Sequence, residues 1–557
     1  MNRKKNSSSL SLRGKFIIGL IFIPTIIYWL TTSGQPIIDN YSFRQAQTAI
    51  SADYLFENGV NLFNYQTPVL GKPWAIPFEF PIYQALVKII STATSQSLTQ
   101  VGRLTNSASI LLSAMVCVSI LSRNRVKQLY IIIFSLLLAT SQVYLYYGRT
   151  FLIDGTALLF TLAAAFYYIQ LRFIWTQEAF NAPKKYNLFP LAKTLLFSTF
   201  LILGMLIKAT TSLPLICFIA IDQIHLACTS LLAREQFFKA IKNGIFFGII
   251  SLFTIFLTKS WVNHADKLKE LNSNAAFILS KNLTGWNFGS LNDRLEPGKW
   301  SFLLSATSTK ILNFGILLPM IIFAAFAVAN ILTMRCKNSA ARRSTYICNF
   351  GFFMYAAGPL IFFNLYFIHE YYATANLAFG YLSLAASLNT ISQCIERKNL
   401  LKLMKIFSVF ITGLIGALQL YSFNIRYWPS STQTSSDALE IANYVKNHSS
   451  SHDRLLTIGC DDWSSQLFYL SGLKGLAVRS FSHPENKQSI RIEIQKMINS
   501  NTKSIFIIEN TKFLGMVSLG YLSASSKQGC SPIHKAGDYY AYKCNLEQFK
   551  NPTLTNK

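Results

Sequence analysis

The stretch Phe16–Leu30, FIIGLIFIPTIIYWL, is closely followed by Ile38–Thr48, IDNYSFRQAQT. The first is apolar enough to begin crossing a bilayer, which takes roughly 20 mainly apolar residues. The second places an aspartate, an arginine and two glutamines at the exit from that crossing. What those groups do depends on which side of the membrane they face.

Working outward, the 557 residues are 51% hydrophobic and 14% aromatic, and only 13% are charged. That charged fraction is about half that of an ordinary soluble domain, and the mean hydropathy is +0.32. Beyond a first span at 16–31, apolar runs lie near 104–122, 129–147, 151–171, 194–208, 213–231, 241–258, 306–333, 347–367, 371–391 and 404–422. The reading is a polytopic α-helical membrane protein of about eleven transmembrane helices, with a small C-terminal α/β domain outside the membrane.

A net charge of +27 could belong to a nucleic-acid binder, but here the Lys and Arg residues cluster in short connections at 122–127, 172–187, 234–242, 334–344 and 396–405. By the positive-inside rule these connections face the cytoplasm, together with the basic start MNRKKNSSSLSLRGK. No nucleic-acid partner is expected. The first apolar run is read as a retained span, because TTSGQPIIDN after it has no clear small-residue cleavage site. The other connections then face outward: 32–103, 148–150, 209–212, 259–305, 368–370 and everything after about 423. The expected location is a bacterial inner (plasma) membrane, with the N-terminus cytoplasmic and the C-terminal domain periplasmic.

Two domains are expected, a membrane domain at 1–428 with a long first outer loop (32–103) and a soluble domain at 429–557. Within the loop, FPIYQALVKIISTATS is amphipathic and suits the membrane interface. In the tail, DALEIANYVKNH and SIRIEIQKMINS read as helices, and RLLTIG and KSIFIIEN as short buried strands. Cys117, Cys217, Cys228, Cys336, Cys348 and Cys394 lie in or beside spans and read as small apolar residues. Cys460, Cys530 and Cys544 fall in the oxidising outer environment, where a Cys530–Cys544 bridge would close CSPIHKAGDYYAYKC. No C-x-x-C pair occurs, so a structural zinc site is not expected.

Five outer-face stretches carry candidate chemistry. They are Asp39 with Arg44 and Gln45; Lys72, Glu79 and Tyr83 in GKPWAIPFEFPIYQ; Tyr147, Arg149 and Asp154 in YYGRTFLIDG; Lys208 in GMLIKATTSLP; and His369, Glu370, Tyr371 and Tyr372 in FIHEYYATANL. Each also has a structural reading. Tyr371 and Tyr372 suit the interfacial aromatic belt. Lys208 could snorkel, Arg149 and Asp154 could pair across a turn, and His369 with Glu370 could cap a helix. Taken jointly, acids and cations recur where spans meet the outer surface, and ionisable groups are expensive to keep there. Asp222, inside LICFIAIDQIHLA, reads as a buried hydrogen-bonded acid or else as a transport site.

Sugar transfer from a lipid-linked phosphate would need this set. A carboxylate takes the proton of an acceptor hydroxyl, and cations offset the charge growing on the phosphate leaving group. Arginine offers phosphate a fork of donors and lysine a point charge.

On DNYSFRQAQTA (39–49), FEFPIYQALV (78–87), YYGRTFLIDG (146–155) and HEYY (369–372), the sequence resembles the GT-C polyprenyl-phosphate-sugar glycosyltransferases. These include protein O-mannosyltransferases, lipid A aminoarabinose transferases and a bacterial Rgt-like branch of lipopolysaccharide-sugar transferases. IGCDDWSSQLFYLSG (458–472) is similar to that family's outer C-terminal domain. The resemblance implies Asp39 as catalytic base, and transfer from an undecaprenyl- or similar polyprenyl-phosphate donor to a hydroxyl of lipopolysaccharide, another glycolipid or protein. It also implies inversion at the anomeric carbon. Where related enzymes carry Glu-Lys-Pro, this chain has Glu79-Phe80-Pro81, so Lys72, Arg149 or Lys208 would have to supply the missing cation. Donor phosphate and sugar binding is then expected from Arg44, Lys72, Glu79, Tyr83, Arg149, Asp154, Lys208, His369, Glu370 and Tyr372. No cofactor is certain. A divalent metal is left open, since Glu79 and His369 would be only half a ligand set.

Two other functions fit a polytopic chain with outer loops. A polysaccharide polymerase or ligase would carry its long loop late in the chain, whereas here it comes first. A lipid-linked-sugar flippase or transporter would show paired halves and mid-membrane charges, and no such symmetry is visible. No phosphate-cradling glycine loop occurs, which argues against soluble nucleotide sugars or ATP as direct substrates. The loop at 259–305 reads as a cover for the acceptor, and Asn282 and Asn447 lie in N-glycosylation patterns that matter only in a secretory pathway. In intact cells, a membrane-impermeant label should fail to reach a tag at the N-terminus and should reach one at the C-terminus; the reverse result would invert the topology.

Overall fold

The computed structural model describes residues 10–57, 59–181, 188–232, 234–300, 317–336, 338–478, 492, 494–498, 501–512 and 530–546. They form two compact units. The first holds residues 1–32, 103–261 and 284–428, and the second 33–102, 262–283 and 429–557. A division therefore falls between 428 and 429, and two earlier loop segments join the tail's unit.

The first ten helices are α1 (Leu12–Thr32), α2 (Ser42–Asp53), α3 (Ile82–Thr94), α4 (Leu98–Arg123), α5 (Gln128–Thr140), α6 (Gln142–Gly148), α7 (Asp154–Asn181), α8 (Leu188–Ile207), α9 (Ala209–Thr229) and α10 (Arg234–Glu270). Further long helices run over Leu317–Arg335, Ser339–Ile361, Ala373–Cys394 and Lys398–Arg426. Among the described residues, seven helices are long and apolar enough to span a bilayer, and α5 with α6 would make an eighth. The chain is a multi-pass membrane protein.

The run at 129–147 is not one straight span, because α5 and α6 meet at a 57° bend after Thr140. The helix Ala373–Cys394 is not among the seven, although the sequence expects a span there. Nearly all of its side chains are buried, including Asn376, Asn389 and Thr390, so its composition answers to protein neighbours rather than to lipid. Residues 306–316 of the expected span at 306–333 lie outside the described residues.

Polar side chains stitch this unit together. Asp222 accepts hydrogen bonds from Tyr168 at 2.6 Å and Tyr346 at 3.2 Å and pairs with Arg172 at 2.7 Å, joining α7, α9 and the helix Ser339–Ile361. It is the buried, bonded acid of the two sequence readings.

The second unit is built on a five-stranded sheet: β1 (Arg454–Ile458), β2 (Lys474–Ala477), β3 (Ser504–Asn510), β4 (Cys530–Ala536) and β5 (Tyr539–Asn545), in the order β2-β1-β3-β5-β4. β1 pairs parallel with β2 and β3, while β5 runs antiparallel to β3 and β4. Alternation fixes the faces. Leu455, Phe506 and Ile508 pack with Ile441, Ala442 and Val445 of the helix Asp437–His448, whereas Leu456, Ile458, Ile505 and Ile507 pack with Leu476 and Met497. The helix expected at 489–500 is described at 494–497.

The first loop belongs to this core. Val69, Leu70 and Ile76 lie in the same cluster as Leu455 and Phe506. Backbone hydrogen bonds from Gly71 N to Gly475 O, Gly475 N to Pro68 O and Ala477 N to Val69 O lay residues 68–71 along the edge of β2. That covers an edge which would otherwise present open donors and acceptors. Gly475 is required there, since a Cβ would sit 1.7 Å from Leu455 O.

Cys530 and Cys544 face each other across the β4–β5 register and are joined by a disulfide, S–S 2.00 Å. Replacing Cys544 by serine should lower the stability of this unit by about 3 kcal/mol, the loop-closure entropy of a ring this size. Denaturant unfolding followed by tryptophan fluorescence checks it.

Candidate functional site

Candidate residues fall in both units. In the second, the chain leaves α1 and makes a tight turn in which Ser42 N donates to Asp39 O and Tyr41 adopts the left-handed conformation, φ 59°. α2 starts there. Gln45, one turn on, donates through Nε2 to Asp39 Oδ1 at 2.7 Å and to Asn40 O at 3.1 Å, and Asn40 N donates to Ser430 Oγ at 2.9 Å. Asp39 is thus buried, 4% exposed, with its carboxylate oriented by a side-chain amide.

Arg44, the residue before Gln45 on α2, pairs with Glu79 at 3.0 Å and donates to Gln47 Oε1. Gln84 Nε2 donates to the other Glu79 oxygen at 2.7 Å. Glu79 itself is held through its backbone, where Tyr65 OH donates to Glu79 O at 2.9 Å. Burial, with Glu79 adding to it, pushes the Tyr65 phenol well above its usual value, so it stays a neutral donor. Gln47 Nε2 and Gln84 Oε1 are buried and have no hydrogen-bond partner among the described residues, an arrangement that carries a desolvation cost unless a ligand completes it. Lys269 is buried nearby, 5.4 Å over the Phe78 ring and 3.3 Å from Asp266.

Two expected residues stand elsewhere in this unit. Tyr83 is fully buried and spends its hydroxyl on Gly102 O at 2.6 Å. Lys72 precedes a cis proline, and partial burial together with the Arg454 and Lys474 charges lowers its pKa.

The tail contributes to the α2 region as well. Trp463, in the loop after β1, stacks on Phe78 at 5.7 Å and meets Phe43 edge-on at 5.0 Å, and Gln466 Nε2 donates to Ile37 O at 3.0 Å. The turn bearing Asp39 is therefore clamped from both flanks.

In the first unit the turn between α6 and α7 is pinned by Asn106 of α4. Its Nδ2 donates to Tyr147 O at 2.7 Å and Thr150 O at 3.0 Å, and its Oδ1 accepts from Gly155 N at 3.0 Å. Ser107 Oγ donates to Gly148 O, and Trp29 Nε1 to Leu145 O. The turn carries Arg149, which is fully buried and donates to Tyr28 OH at 3.3 Å. Asp154, which opens α7, accepts from Lys208 Nζ at 2.5 Å. Lys208 sits at the break between α8 and α9, with its ammonium 4.1 Å from the Tyr372 ring and 5.0 Å from that of Tyr371. The other carboxylate oxygen of Asp154 is buried and has no hydrogen-bond partner among the described residues. Glu370 accepts from Tyr147 at 2.6 Å and Tyr427 at 3.1 Å, and His369 stacks on Tyr371 and lies 5.9 Å from Trp286.

So the structure brings Asp39, Arg44, Gln45 and Glu79 together in one unit, and Tyr147, Asp154, Lys208, Glu370, Tyr371 and Tyr372 in the other. Arg149 and Asp154 do not pair; each has its own partner. Sequence reasoning did not single out Gln47, Gln84, Lys269 or Tyr427. Only the Gln47 spacing, three residues from Arg44, could have signalled a role. Among the described residues, no group of three or more His, Cys, Asp or Glu side chains is placed to hold a metal ion.

This architecture is the GT-C fold. The crystal structure of ArnT from Cupriavidus metallidurans in the apo state is similar over 96% of this chain and 99% of its own, with a TM-score of 0.58 at 11% identity. The same protein bound to undecaprenyl phosphate is similar over 96% and 98%, with a TM-score of 0.58 at 11% identity. The oligosaccharyltransferase AglB from Archaeoglobus fulgidus, in complex with an inhibitory peptide and a dolichol-phosphate, is similar over 96% of this chain and 74% of its own, with a TM-score of 0.53 at 10% identity. These identities establish the fold. No family model matches the sequence, and no curated protein matches it.

The Lys208–Asp154 pair can be tested directly. Lys208→Met leaves a buried carboxylate without its cation and should cost about 3–5 kcal/mol, while adding Asp154→Asn should restore much of the loss. Thermal unfolding of the three variants in detergent measures it; additive losses would mean the two side chains are not coupled.

Proposed function

We propose that the protein is a membrane glycosyltransferase that moves a sugar from a polyprenyl-phosphate donor to an acceptor hydroxyl on the non-cytoplasmic side of a bacterial inner membrane. The acceptor is a lipopolysaccharide, another glycolipid or a protein. The observation that carries this reading is Asp39, a carboxylate held on a turn directly after a span by Gln45 and by an unusual backbone conformation at Tyr41. The GT-C fold supports it, and so does a similarly folded protein whose structure holds undecaprenyl phosphate.

In the proposed step, the Asp39 carboxylate takes the proton of the acceptor hydroxyl as its oxygen attacks the anomeric carbon. The bond from that carbon to the carrier phosphate breaks, and the electron pair leaves on the phosphate. One displacement inverts the anomeric centre, and one carboxylate suffices. Arg44 is the proposed phosphate cation, with Glu79 holding it in place until charge develops on the leaving group. The amide ends of Gln47 and Gln84 that have no partner among the described residues suit sugar hydroxyls, which both donate and accept. Lys72 and Tyr83 support the loop that carries these groups; Arg149, Asp154, Lys208, His369, Glu370 and Tyr372 shape the turns of the other unit.

Asp39→Asn keeps the shape and a hydrogen bond to Gln45 but cannot accept the proton. It should lower transfer by roughly 10²–10⁴-fold while the protein still folds and inserts. Mass spectrometry of surface glycans from a deletion strain complemented with each form reads this out. Wild-type glycans from the Asp39→Asn strain would remove Asp39 from the reaction.

A further inference from the structure

We infer that a groove between α1 and α4 is a binding site for an anionic glycerophospholipid from the leaflet on the N-terminal side of α1. The cavity holds about 840 Å³. One end is formed by Lys15 near the start of α1 and Arg123 at the close of α4. The walls run through Gly19 and Phe22 to Ile26 on one helix and to Leu111 on the other.

Charge selects the head group. Neither α1 nor α4 contains an aspartate or glutamate, so both cations at the mouth stand without an acid on either wall. Among the described residues, the Lys15 ammonium has no hydrogen-bond or ion-pair partner. The Arg123 guanidinium makes one hydrogen bond, to Gln170 at 3.2 Å, and rests 5.0 Å from the Phe166 ring. That seats the arginine at the mouth and leaves most of its five N–H donors for a phosphate.

Depth selects the tail. Lys15 to Ile26 is eleven residues and Leu111 to Arg123 is twelve, or about 16 Å and 18 Å of helix at 1.5 Å per residue. Half of a 30 Å hydrocarbon core is about 15 Å. The groove therefore accommodates the acyl chain of a lipid from one leaflet, with its phosphate at the cations. A polyprenyl chain is far longer than this depth. Gly19 keeps the groove open, since nothing lies within 4 Å of where its Cβ would be.

The test uses full-length protein in detergent, stripped of lipid and offered equal amounts of phosphatidylglycerol and phosphatidylcholine with matched acyl chains. Native mass spectrometry counts what is retained. The wild type should keep phosphatidylglycerol over phosphatidylcholine by roughly tenfold, because the choline ammonium offsets the phosphate charge that the two cations attract. Lys15→Gln with Arg123→Gln should bring that ratio close to one. Gly19→Leu fills the groove from an open position, so it should lose both lipids while keeping the wild-type unfolding temperature. Equal retention of the two lipids by the wild type, an unchanged preference in the double variant, or undiminished lipid on Gly19→Leu would each overturn the inference. So would displacement of bound phosphatidylglycerol by equimolar undecaprenyl phosphate, which would assign the groove to the carrier. None of these outcomes depends on Asp39 or on the transfer reaction.

Discussion

The side chain of Asn106 does for one turn what water does for loops outside a membrane. Between α6 and α7 the backbone leaves its helical ladder, and three of its polar groups turn to one side chain. A single amide takes two carbonyls and one N–H. Once that turn is fixed, the positions of Arg149 and Asp154 follow, and with Asp154 the ammonium of Lys208 and the two tyrosine rings beneath it. Removing the amide would take a bond from Tyr147 O and Thr150 O, which keep donors in Thr150 Oγ1 and Leu152 N, and would take the Asn106 acceptor from Gly155 N; irregular backbone inside a membrane domain is tolerated where protein encloses it.

The same constraint explains which parts of the molecule could be read from the sequence. Helices that face lipid have to be apolar, so the first span, α4, α7 and α10 announce themselves by composition. The helix Ala373–Cys394 faces protein and carries asparagines, serines and threonines, so its apolar signal is diluted although it is as long as its neighbours. The bend after Thr140 was hidden for a different reason: both halves are apolar, and hydropathy has no term for direction. In the tail, short near-continuous apolar runs in RLLTI and SIFIIEN marked the strands, and the pairing of Cys530 with Cys544 was expected from two cysteines in an oxidising compartment. The covering of β2 by residues 68–71 joins segments some four hundred positions apart and leaves no periodic trace.

The candidate residues divide along the same line. Asp39, Arg44 and Glu79 stood out because charge is conspicuous beside a span. Their orienting partners did not: Gln45 drew notice only as a neighbour of Arg44, while Gln47, Gln84 and Tyr65 are uncharged and common in loops. Arg149 and Asp154 are close in sequence and invited pairing, yet the turn sends one toward Tyr28 and the other toward Lys208. Proximity along the chain is a weak guide where the backbone reverses within a few residues.

Residues 68–71 lying along β2 bear on how the molecule is made. Translation releases this segment early, while the strand it will border emerges only after the intervening helices have been threaded into the bilayer. For that whole interval a stretch rich in valine and leucine waits without its neighbour. The tail, expressed by itself, would meet the opposite difficulty: a mixed sheet with a bare flank at β2, ready to join whichever extended chain it encounters first. A soluble version of this domain would need that short early segment grafted back before it could remain monomeric.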